Sequence, residues 1–218
     1  MRIKHPQLEN NIILYNHDIP DGYLNFVIKS KIVAWDIETS GLDWRNNRIG
    51  LCQLYTPGKS VVIIRIDNTP PKNLSSLLSN PQVKKVFHHA LFDLRFMCYR
   101  WRIIPQNIAC TKIAAKLLDR ENKNSHTLQS LLLRYLNITI DKTEQTSNWL
   151  SKQLTKEQIV YAATDVLYLP PLLNVLEREL ESKKLLKLAQ ECFAFIPTKV
   201  QLDILGYSEI YNYGNEPK

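Results

Sequence analysis

Lys31-Ile-Val-Ala-Trp-Asp-Ile-Glu-Thr-Ser-Gly-Leu42 begins as an apolar run and ends on two acids and a break. Lys31 to Glu38 reads as a buried strand, because β-branched and aromatic residues dominate it and a Thr-Ser-Gly turn signal follows. Side chains alternate along a strand, so Asp36 and Glu38 share one face and Ile37 takes the other. Two carboxylates on one face of a buried strand repel, and desolvating them is costly unless a cation offsets them. The plainer reading is an exposed strand end with solvated acids. An Asp-x-Glu pair alone does not choose between the two.

Working outward, Arg48 to Tyr55 is a second strand, ended by Pro57-Gly58, and Val61 to Ile66 is a third. Three strands so closely joined predict an antiparallel meander. Helical spacing then takes over, with a short helix over Asn73–Leu78 and a brief strand over Val83–His88. Further helices are predicted over Phe92–Trp101, Thr111–Leu118 and Thr127–Leu136. Thr155-Lys-Glu-Gln158 has capping-box form and opens a helix to about Glu181, kinked or broken at Pro170-Pro171. Before the first strand, residues 1–30 read as an irregular or edge segment with a turn at Pro20-Asp21-Gly22. The expected organisation is one α/β domain over 31–185. Segment 1–30 packs on it, and a C-terminal tail, 186–218, follows.

Composition narrows the function. The 218 residues are 44% hydrophobic and 22% charged, which fits a globular domain and excludes disorder, collagen and coiled coil. The six glycines never approach GxGxxG or GxxxxGK[ST] spacing, and the five histidines make no HExxH. Four scattered cysteines form no CxxC pair, which fits a reduced cytoplasmic setting. No apolar run approaches the roughly 20 residues of a membrane span, and Met1 to Asn10 has no signal-peptide core. The expectation is a cytoplasmic protein with no membrane partner. A net charge of +7 favours an anionic partner, of which nucleic acid is the commonest soluble one.

Two further pieces carry acids at the edges of core elements. Phe87-His-His-Ala-Leu-Phe-Asp93 places Asp93 where a strand gives way to a helix, and a plain N-terminal cap is the simpler explanation. Tyr161-Ala-Ala-Thr-Asp165 places a phenol and a carboxylate on adjacent turns of one helix face. A Tyr–Asp hydrogen bond with no further role would also explain that pair. Together the pieces supply four carboxylates, enough to offset two divalent cations. Hard oxygen ligands favour Mg²⁺ or Mn²⁺ over zinc. Two such ions, about 3.5–4 Å apart, clamp the attacking and leaving oxygens of a phosphodiester. A glycosidase pair is the remote alternative.

The order Asp-x-Glu, Asp, Tyr-x-x-x-Asp resembles the tyrosine branch of the DEDD 3′–5′ exonucleases, through WDIETSGL, FHHALFD and YAATD. The resemblance runs from about Ile32 to Leu180. It implies a ribonuclease-H-like α/β fold, with a mixed five-stranded sheet flanked by helices. Asp141 to Leu169 is similar to ribonuclease D. About forty residues follow, too few for the helical nucleic-acid-binding domains of that family. Cys192 to Ile210, and Cys110 to Leu117, resemble the nanoRNase C subfamily instead. That likeness implies activity on very short RNAs, chiefly dinucleotides, and an octameric ring.

Carried onto this chain, the resemblance implies a catalytic set of Asp36, Glu38, Asp93, Tyr161 and Asp165 and two divalent ions, Mg²⁺ or Mn²⁺. Asp36, Glu38 and Asp165 hold one ion, Asp36 bridges to the second, and Asp93 holds that one directly or through water. Tyr161 orients the attacking water, and the product is a nucleoside 5′-monophosphate. Leu42 matches the family's wedge between the last bases, with a core Leu in a turn as the alternative. Phe92, His88, His89, Lys142 and Trp149 are further substrate-contact candidates. Core packing for Phe92, His88 and Trp149, and solvation for Lys142, are the plainer readings. His89 stands where many family members have Asn. Arg95, Arg100 and Arg102 read as a basic surface or a solvated helix face. In the tail, Leu202, Ile204, Leu205, Tyr207, Ile210, Tyr211 and Tyr213 are placed to dock on their own domain or on a neighbouring copy, and the resemblance favours a subunit contact. Partners are then short RNA 3′ ends, with DNA left open, and further copies of the chain. Trimming of longer RNA, and an inactive nucleic-acid-binding module, are the alternatives.

Overall fold

The computed structural model describes residues 11–121 and 123–212. The predicted strand forms as β2 (Ile32–Thr39), with Val33, Ala34, Trp35 and Ile37 buried. It pairs antiparallel with β3 (Ile49–Tyr55), which pairs antiparallel with β4 (Val61–Arg65), so the meander is present. On the other side β2 pairs in parallel with β5 (Lys84–Phe87), and β5 with β6 (Ile108–Cys110).

The sheet has six strands where five were expected, in the order β1-β4-β3-β2-β5-β6. The addition is β1 (Ile12–Asn16), within the segment read as irregular or edge, which pairs in parallel with β4. Its partner lies some fifty residues away, so no hairpin turn announces the pairing. Only β3 runs against the other strands. The carboxyl ends of β2 and β4 therefore open on the same edge of the sheet, the side on which open α/β sheets commonly bind ligands.

Pro20 is the N-cap of α1 (Asp21–Ser30), so the predicted turn is a helix start. The helices α2 (Lys72–Leu78), α3 (Ala90–Trp101), α4 (Thr111–Leu118) and α5 (Leu128–Leu136) fall within two residues of the predicted boundaries. The long predicted helix is two, α6 (Lys156–Leu167) and α7 (Leu169–Ser182), broken at Tyr168 with the prolines in the first turn of α7. Thr155 and Gln158 close the capping box in both directions, at 2.9 and 3.2 Å. Contrary to the sequence reading, Lys156–Ser182 is apolar and long enough to cross a bilayer by length and composition. In the fold most of it is buried, because α6 packs on β2, β3 and β4 and α7 on β2 and β5.

Tail residues 186–205 form α8 (Leu186–Leu205), which packs on α3, α4, α7 and β6 through Ala189, Phe193, Ile196 and Val200. Burying Phe193, Ile196 and Val200 contributes about 1.5–3 kcal/mol each. Asp203, buried on α8, receives Arg95 from α3 at 2.6 Å and also Lys199. Met1 to Asn10 and Tyr213 lie outside the described residues.

Candidate active site

Asp36 and Glu38 face α6 from the end of β2, and the β2–β3 register shifts between Glu38 and Thr39. Asp165 comes from the last turn of α6. The three residues bring carboxylate oxygens within 4.8 Å of one another, the only such cluster of His, Cys, Asp and Glu groups among the described residues. Asp36 and Glu38 are half-buried and Asp165 is buried. The predicted sharing of a face by positions 36 and 38 therefore holds, and the exposed, solvated strand end does not.

Asp93 sits in the first turn of α3, only 2% exposed. His89, not Asp93, holds the cap position, without a side-chain cap bond. Among the described residues Asp93 Oδ2 has no hydrogen-bond partner. Burial pushes its carboxyl up to about 8, against backbone hydrogen bonds from Asp93 and Ile37 that pull it down. Burial likewise raises Glu38 to about 9, helped by Asp165, and raises Asp36 well above the usual range, helped by Asp93, Asp165 and Glu38. Asp165 is also raised by burial, with Lys142 opposing. Four acids that each resist ionisation, one with an orphaned oxygen, fit hard divalent cations.

Tyr161 lies one turn before Asp165, and its hydroxyl is 3.3 Å from Lys142 Nζ. Burial, then the charges of Asp165, Glu38 and Asp36, push its proton affinity up. The phenol therefore stays protonated. Lys142 is not a solvated loop lysine, since its ammonium donates to both Asp165 oxygens at 2.9 and 3.0 Å.

The other predicted contacts separate into two groups. Leu42 is 84% exposed on the loop between β2 and β3, not a core residue in a turn. His89 is exposed, with its ring 6.0 Å from that of the half-buried Phe92, which also contacts Phe96 at 5.1 Å. His88 points inward, its ring nitrogens 2.9 Å from Thr111 Oγ1 and 3.1 Å from the His126 carbonyl. Burial, then Lys112, lower it to about 3. Trp149 is buried with its ring 5.7 Å from that of Tyr161. Sequence reasoning did not single out Gln53, which is wholly buried opposite Asp36 in the β2–β3 register. Its side-chain oxygen and nitrogen lack partners among the described residues. The available signal was a lone amide in the apolar run Ile49–Tyr55.

The family described as 3′–5′ exonuclease matches residues 12–181. Ribonuclease D of Haemophilus influenzae is 33% identical over 156 residues, covering 72% of this chain and 39% of that protein. The chain thus spans well under half the length of that curated relative. The structure of Brucella melitensis NrnC with bound Mg²⁺ has a TM-score of 0.85 at 32% identity, covering 94% of this chain and 100% of that one. The same protein bound to pGG gives 0.84 at 33% identity, covering 94% and 99%.

Proposed function

The chain belongs to the 3′–5′ exonuclease family, and from that premise we propose that it hydrolyses very short RNAs, chiefly dinucleotides, to nucleoside 5′-monophosphates. The observation that carries the reading is the convergence of Asp36, Glu38 and Asp165 within 4.8 Å, beside buried Asp93 and Tyr161. The likeness to NrnC over nearly the whole of both chains supports the short substrate.

Asp36, Glu38 and Asp165 would hold one divalent ion, and Asp93 with Asp36 a second. Mg²⁺ or Mn²⁺ at such a site supplies positive charge to the phosphate oxygens and acidifies water. The chain's own groups do the rest. Tyr161, kept protonated, orients water by hydrogen bonding and does not act as a base. Lys142 adds a positive charge beside the scissile phosphate. Leu42 and Phe92 present apolar surface on which a terminal base can stack. The +7 net charge favours approach of the anionic substrate.

Residues 31–185 form the nuclease unit in this reading. At the end of α8 and just past it, Leu205, Tyr207, Ile210 and Tyr211 are 54–70% exposed, an apolar surface that supports a contact between copies of the chain. The octameric ring is carried over with the resemblance, and the cytoplasmic setting rests on the four scattered cysteines, which form no CxxC pair. The test of substrate is a time course on 5′-labelled RNAs of graded length, with Mg²⁺ or Mn²⁺. Dinucleotide turned over at least about tenfold faster than a 20-mer supports it. The reverse order makes the protein a trimmer of longer RNA ends.

A further inference from the structure

Leu42 is 84% exposed, yet the loop that carries it is heavily built. Its neck is closed by Ser40 N–H to the Arg48 carbonyl at 2.9 Å and Arg48 N–H to Ser40 Oγ at 3.0 Å. Asn47 Oδ1 accepts from Asp43 N–H at 2.9 Å. A Cβ on Gly41 would lie 2.6 Å from that same Asn47 oxygen, so a larger residue there would push the Asn47 amide out of this closure. Asp43 in turn accepts from Arg45 N–H at 2.9 Å and Asn46 Nδ2 at 2.6 Å.

The loop is also held from outside. Arg100 of α3 donates through Nη2 to the Arg45 carbonyl at 3.0 Å and the Asn47 carbonyl at 2.7 Å. Beside it, Tyr99 and Trp44 meet edge-to-face at 5.0 Å, and the Arg45 guanidinium lies 4.0 Å from the Trp44 ring centre. Among the described residues Arg100 has no carboxylate partner, so its charge is spent on backbone. Seven residues separate Arg100 from Asp93, two turns along one helix face. The helix that fixes Asp93 and Phe92 therefore also grips the loop that presents Leu42.

We propose that Arg100 is a positioning residue that sets the gap between Leu42 and α3 into which a terminal nucleobase enters. This rests on the reading of Leu42 as a base contact. An exposed leucine on an unpinned loop must be ordered at each binding event, and that entropic cost weakens binding. Losing the clamp therefore raises KM and leaves the chemistry at the carboxylates alone. A role confined to folding would lower thermal stability and active fraction without moving KM.

The test measures kcat, KM and Tm for Arg100→Ala, Arg100→Lys, Asn47→Ala, Leu42→Ala and the Arg100→Ala/Leu42→Ala pair, on a labelled RNA dinucleotide with Mn²⁺. Arg100→Ala is expected to raise KM about tenfold, with kcat within about twofold. Arg100→Lys recovers part of the loss, and Asn47→Ala reproduces it from inside the loop. The pair is expected to be no worse than Leu42→Ala alone, because both changes remove one contact. Additive effects, an unmoved KM for Arg100→Ala, or a neutral Leu42→Ala in an active enzyme would each overturn the proposal. A wild-type chain without metal-dependent RNA cleavage would instead overturn the parent reading.

Discussion

Asp36 occupies the least favourable electrostatic position in the site: burial and three neighbouring acids all oppose its charge. Without a divalent cation the native state holds protons that the unfolded chain releases above about pH 4. Stability measured with chelator should therefore fall as pH rises from about 5 through the Asp93 and Glu38 values of about 8 and 9. Millimolar Mg²⁺ or Mn²⁺ should flatten that fall, since the ion favours the ionised acids; a chelator curve level from pH 5 to 9 would contradict the charge assignment. The same logic sets a trade for Asp36→Asn. Activity should drop by about 10³-fold or more, while Tm in chelator should rise, because one member of a repelling buried group has gone. Tyr161→Phe differs, in that kcat should fall on the order of 10²-fold with Mn²⁺ affinity by calorimetry unchanged.

At the scale of elements, the site depends on one strand end, two helices and the loop before α6. Gly50 at the start of β3 is pressed against that loop: a Cβ there would lie 2.4 Å from the Trp149 carbonyl. Gly50→Ala should cost about 1–3 kcal/mol in chemical denaturation and lower kcat, because Trp149 packs on Tyr161. An unchanged denaturation midpoint would show that the loop gives way freely. Lys85 in β5 offers a second handle, fully buried with Nζ on the Asn80 carbonyl at 2.6 Å and lowered to about 7 by burial. Its unfolded form binds the proton more tightly, so it makes stability rise between about pH 7 and 10; Lys85→Met should lose that rise. What the sequence revealed and hid follows element range. The strand ending in Asp36-Ile-Glu38, the capping box at Thr155 and the break before Pro170 are set by neighbouring residues, and all three were legible. β1, the three-residue β6 and α8 depend on distant partners, so local patterning did not announce them. The sequence reads Lys142 as a substrate contact or a solvated residue. Its bond to Asp165 exists only because the loop folds back across α6.

For the whole molecule, an acidic centre sits in a chain of net charge +7. Binding of RNA should weaken with added salt, more steeply for longer RNAs with more phosphates, and binding of the ion should raise stability by mass action, about 2.7 kcal/mol at a hundredfold excess over Kd. Exposed Leu205, Tyr207, Ile210 and Tyr211 give the assembly its test, since light scattering should report a multimer that Tyr211→Asp disperses. The central claim is that the four acids and their ions remove nucleotides from a 3′ end. It is tested most directly by following one short RNA labelled separately at its 5′ and 3′ ends, with wild type and Asp36→Asn, in Mn²⁺ and in chelator. The account predicts that wild type with Mn²⁺ releases the 3′ label at once as a mononucleotide while the 5′ label steps down one residue at a time. Cleavage that persists in chelator or in Asp36→Asn, or that frees the 5′ label first, would contradict it.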